Sequence, residues 1–178
     1  MRLHTAALAA VVACVACRSA EHPPDEGGIK AGEWRVQDVP ECGFSIEVPD
    51  FAQRDDLAME KFPDVIDVGY HTRMGLAVQC TVYPPSWQLP PAPDLLKKEL
   101  DRKLLNMEGL AGGVVDHQLT IDDSGAAATY TVRFANGVME RGRYMIVGRQ
   151  VHELGAAIGK GRSTEADLAR LIASYKRR

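Results

Sequence analysis

The chain has 178 residues, of which 46% are apolar and 25% charged, and its net charge is −3. Once an export leader is set aside, that is enough for one domain with its own core and too little for several. The slightly acidic balance supplies no basic surface for a phosphate backbone, which excludes nucleic acid as an expected partner.

Arg2 and His4 open the chain, and Ala6 to Ala16 form an uninterrupted apolar run. The run is too short to cross a bilayer, which takes ~20 residues, but it has the length of a signal-peptide core. It ends in cysteines. VVAC, ending at Cys14, and CVAC, ending at Cys17, each resemble the lipobox of bacterial lipoproteins. The resemblance implies cleavage ahead of a cysteine that carries acyl chains such as palmitate, and several chains give stable anchoring where one does not. Val11 suits the first lipobox position better than Cys14 does. Cys17 leaves a longer apolar core and no spare thiol outside the cytosol, so it is the preferred site, with Cys14 the alternative. Neither Arg18 nor Val15 is the aspartate that keeps such proteins in an inner membrane. The expected location is therefore the cell envelope, on an outer membrane facing the periplasm.

After residues 1–17, residues 18–40 read as a tether. The stretch 18–33 carries Ser, Glu, Pro, Asp and Gly with almost no apolar content, too little to offset the entropy of ordering. Trp34 and Val36 are where the chain begins to touch the fold. Residues 41–178 then form a single globular domain. Gly43 to Pro49 alternate, with Phe44, Ile46 and Val48 on one side, as a half-buried strand does. Residues 65–72 and 76–83 form a hairpin about Met74-Gly75, with Leu76, Val78, Cys80 and Val82 facing inwards. The prolines from Pro84 to Pro93 break the sheet. Asp94 caps a predicted helix over 95–108, where Leu96, Leu100, Leu104 and Met107 make the apolar stripe and Lys97, Lys98, Asp101 and Arg102 the wet face. A four-strand meander follows over 114–121, 126–134, 138–147 and 150–158, turning at 122–125, Asn136-Gly137 and Gly148-Arg149. Ser163 or Thr164 caps a last helix, with Leu168, Leu171, Ile172 and Tyr175 inwards and Lys176 to Arg178 at its C-terminal dipole.

Two helices and about seven antiparallel strands make an α+β layered domain. The order, with FSIEVP as opening strand and YMIVGRQVHEL and DLARLIASYKR as closing hairpin and helix, resembles the Mog1/PsbP-like family. The resemblance implies an α/β/α sandwich acting as a binding or assembly factor without catalytic machinery. Partners of its eukaryotic branches, a small GTPase and a photosystem, have no matching residues here to carry over.

Candidate sites are few. In an oxidising compartment Cys42 and Cys80 are placed to pair; two separate buried thiols are the alternative. His71, His117 and His152 sit on different predicted strands with no ligand spacing, and read as exposed strand residues, so no metal is expected. Asp55-Asp56, Asp64, Asp67 and Asp122-Asp123 fit turns and solvated positions. No serine stands in a nucleophile elbow. Gly155 to Gly161 lack the lysine-serine end of a phosphate loop and read as the loop before the last helix. Tyr83 and Trp87, in the proline-stiffened loop, are either a contact for a protein partner or a lid folded onto the core. The expectation is a non-enzymatic envelope protein that binds a partner or supports envelope assembly, with no cofactor. A small-ligand or metal-binding module is the alternative, and a hydrolase with a site assembled from distant residues is the weaker one.

Overall fold

A computed structural model describes residues 29, 33–56, 62–110 and 112–178. The elements are β1 (Trp34–Val39), a 3-10 turn (Pro40–Cys42), β2 (Phe44–Pro49), β3 (Gln53–Asp56), β4 (Ile66–His71), β5 (Leu76–Val82), α1 (Ala92–Glu108), β6 (Val114–Ile121), β7 (Ala127–Phe134), β8 (Met139–Val147), β9 (Gln150–Ile158), α2 (Glu165–Ser174) and β10 (Lys176–Arg177). They build an α+β domain. The large sheet has seven antiparallel strands in the order β3-β4-β5-β9-β8-β7-β6, and a small one has the order β1-β2-β10.

Alternation decides which layer each strand face joins. Even-numbered residues of β7 and β8, such as Tyr130, Val132 and Tyr144, share a core with Leu96, Leu100 and Met107 of α1. The other face of the large sheet, including Val68, Val78, Cys80 and Leu154, packs on Phe44, Ile46 and Val48 of β2 and on Leu168 and Leu171 of α2. Two cores thus flank one sheet: α1 covers one face, α2 and the small sheet the other.

The expected count of seven strands holds, but the membership differs. The opening strand, β2, does not join the large sheet; it pairs with β1 and β10 instead. Its place in the count is taken by β3, which sequence reading leaves as loop. β1 also lies within the 18–40 stretch read as tether, yet all six of its residues pair with β2, because strand pairing supplies the backbone partners a tether would lack. Ile29 packs against the same core, and its N–H donates to Asp167 Oδ1 at 3.1 Å. What remains of the tether, like the lipobox and both of its cysteines, lies outside the described residues.

α1 begins at Ala92, ahead of the expected Asp94 cap, with proline in its first turn, where no backbone donor is needed. Of the two candidate caps of the last helix, Thr164 is the one used: it and Asp167 form a reciprocal capping box, while Ser163 is buried and bonds Met74 O. The helix stops at Ser174. Lys176 and Arg177, expected at its dipole, instead form β10 against Phe44 and Ser45.

Candidate functional site

The disulfide is present: Cys42 joins Cys80, with Cα atoms 6.4 Å apart, across 38 residues of sequence. It fastens the 3-10 turn to an interior strand of the large sheet. Tyr83 and Trp87 are brought together but turned inwards. Their rings stack at 5.6 Å, and Phe62 meets Trp87 edge-on at 5.3 Å. Tyr83 is only 6% exposed, and its hydroxyl donates to Glu99 Oε1 at 3.0 Å. Arg149 holds the loop down by donating to the carbonyls of Tyr83, Pro84 and Trp87. Of the two readings, this geometry is that of a lid.

The three histidines are not brought together. His117 faces the α1 side of β6, opposite Val132, whereas His152 faces the other side of the sheet, opposite Cys80. His152 is not the exposed strand residue expected; it is 1% exposed. Its Nε2–H donates to Gln150 Oε1 at 2.9 Å and its Nδ1 accepts from the Tyr175 hydroxyl at 2.7 Å. Burial, helped by Arg177, pulls it down to about 4. His71 Nδ1 lies 2.7 Å from Asp55 Oδ2. Among the described residues no group of three potential ligands could hold a metal. Asp122 does shape a turn, accepting from Ser124. Asp67, read as solvated, is buried on β4, where Gln79 and Thr81 donate to it and burial raises its pKa against them. Much of Gly155 to Gly161 is strand rather than loop, since β9 runs to Ile158.

The buried centre between α1 and the sheet is ionic, which sequence reading missed. Lys103 of α1 contacts Glu140 of β8 at 2.7 Å and Glu153 of β9. Tyr144 donates to Glu153 Oε2 at 2.6 Å and Tyr130 to Glu153 Oε1 at 2.8 Å. Tyr130 reaches that far because its hydroxyl rests over Gly142 and Gly155, which face each other across β8 and β9. A Cβ at either glycine would stand 2.6 Å from that hydroxyl oxygen. Burial opposes charge on Glu153, yet Lys103 and the two tyrosine hydroxyls hold its pKa below the ordinary value. Burial likewise opposes charge on Lys103, and the two glutamates outweigh it and raise its pKa. The signal was there to find: Lys103 occupies the stripe of Leu96, Leu100 and Met107, where a charge needs a partner.

At the edge of this centre lies β6. It pairs only with β7, so its outer row of backbone donors and acceptors is unpaired among the described residues. From Val115 to Ile121 every residue is exposed. His117, Leu119 and Ile121 share the α1 side, opposite Val132, Tyr130 and Ala128, yet α1 leaves them uncovered. Leu119 is 42% and Ile121 47% exposed. A crevice of about 10 Å³, room for a single water, runs inward between Leu104, Leu119, Lys103 and Tyr130. The opposite edge is different. β3 is four residues long and carries Arg54, Asp55 and Asp56, a short charged edge of the kind that resists pairing. β6 has a bulge between Val114 and Asp116, but beyond it no proline or lysine.

Fold and site together define a class: an α+β domain with an antiparallel sheet between two cores, with one short charged edge and one long edge bearing an uncovered apolar row. No protein-family model matches the chain, and no curated protein matches it. Among solved structures it is similar to the solution structure of cyanobacterial PsbP (CyanoP) from Synechocystis sp. PCC 6803, at 12% identity over 87% of this chain and 98% of that one, with a TM-score of 0.49.

Proposed function

We propose that this chain is a lipid-anchored protein of the bacterial cell envelope that performs no chemistry itself and binds a protein partner through the open edge of its large sheet. The observation that carries the binding role is β6, a long edge with an uncovered apolar row. Such an edge is what an extended segment of another protein pairs with. Main-chain hydrogen bonds then give affinity, and alternate side chains give specificity. The segment that fits has apolar residues at every second position, laid beside Leu119 and Ile121. The anchor rests on the lipobox, with Cys17 preferred over Cys14, and the envelope location follows from it.

The test places a photo-crosslinking residue at Gln118 in cells and asks what the double variant L119K/I121K recovers. Both side chains are already exposed, so the fold tolerates the change. Loss of the crosslinked partner is expected. Undiminished recovery of the same partner overturns β6 as its contact, and a mature N-terminus without acyl chains by mass spectrometry overturns the anchor.

A further inference from the structure

A second recess, away from β6, lies at the short β3 edge of the large sheet. It measures about 390 Å³ and is lined by Phe51, Gln53, His71 and Arg73, a volume within the ~300–1,000 Å³ of small-molecule sites. The residues share one side for a simple reason. Gln53 and His71 are directly opposed across β3 and β4, and Phe51 and Arg73 sit two residues beyond each of them.

The backbone that presents them is fixed. Ala52 N–H donates to Pro49 O at 2.9 Å, holding the turn that carries Phe51. Arg73 lies in the β4–β5 turn, closed by Gly75 N–H to Thr72 O and pinned by Ser163 N–H to Met74 O. The side chains, by contrast, have functional groups to spare. Phe51 is 44% exposed. Among the described residues the Arg73 guanidinium and the Gln53 amide have no partner. His71 is used at one nitrogen only. The Asp55 carboxylate can only accept, so a proton sits on Nδ1, and in the ring's neutral form Nε2 is the acceptor.

We infer that this recess binds a small aromatic carboxylate carrying a ring hydroxyl or N–H. Each part of that ligand answers one group on the protein. The Arg73 fork pairs with a carboxylate, the Phe51 ring stacks on an aromatic plane, and His71 Nε2 takes the donor. Asp55, in contact with His71, disfavours a second negative charge beside that ring, which selects a monoanion with its carboxylate at Arg73. The site is independent of β6 and of any protein partner.

The probe is 4-hydroxybenzoate, titrated into the full-length protein and followed by NMR shifts of the Phe51, Gln53 and His71 signals. Saturable binding is expected. It should weaken about tenfold for 4-hydroxybenzamide, which lacks the charge, and about threefold for 4-methoxybenzoate, which lacks the donor. Arg73→Gln should weaken 4-hydroxybenzoate about as much as removing its charge does. The Arg73 carbonyl, not its side chain, makes the fold's contact, and Phe51→Ser gives a second variant that should weaken all three probes. No saturation by about 10 mM, equal binding of acid and amide, or binding indifferent to both substitutions overturns the inference.

Discussion

Lys103 sits between two glutamates under a helix, where an isolated charge would be costly. Replacing it by methionine keeps the stem's volume but leaves Glu140 and Glu153 facing each other without a cation. K103M should lose about 3–5 kcal/mol of stability, read by urea unfolding, and E153Q added to it should restore part of that loss. His152 gives a prediction of the opposite kind, because its neutral form is the one buried. In the unfolded chain it protonates near its ordinary value of 6.5, while in the fold it resists protonation to about 4. Between those values the unfolded state holds more protons, so stability rises with pH and is lost as pH falls from about 6.5 to about 4. The loss attributable to this residue is about 3 kcal/mol. Glu153 is held below 4.5, so its own acid loss comes lower. H152Q, which can still bond Tyr175 and Gln150, should flatten the upper part of the pH–stability curve; an unchanged slope would discount the histidine.

At the level of elements, the disulfide makes the sharpest claim. Its 38-residue separation predicts about 4 kcal/mol from the chain-entropy relation. The C42A/C80A protein should be destabilised by that order in chemical denaturation, with no comparable effect from reductant on the double variant. Elements with strict alternation, such as β2 and β5, are legible in the sequence because one face is buried and the other wet. β1 and β3 are not, since neither alternates between a buried and a wet face and their pairing is supplied by β2 and β4. β10 is hidden for another reason: Lys176 and Arg177 continue a helical composition, and only contact with β2 turns them into strand. The ionic centre was half legible. Lys103 stands on an apolar stripe, but Glu140 and Glu153 come from strands whose facing depends on which helix covers them, and no periodicity states that.

For the molecule as a whole, the two edges of the large sheet have different characters. The β3 edge is short and charged and is flanked by the His71 recess. The β6 edge is long and carries a bare apolar row. Whole-domain layering was legible from element order, because segregated helices must cover an antiparallel sheet. The identity of the uncovered edge was not, because it depends on where α1 comes to rest, over β8 and not over β6.

The disulfide also governs how the molecule would carry a pull. Tension applied ahead of Trp34, as a membrane tether would apply it, enters at β1 and soon meets Cys42. From there the bond hands it to Cys80, in a strand held on both flanks by β4 and β9. The intervening loop, with β2, β3 and β4 in it, is left out of the load path. Roughly 130 Å of chain is thereby kept from paying out under force, and only β1, at the rim of the small sheet, is free to peel away first.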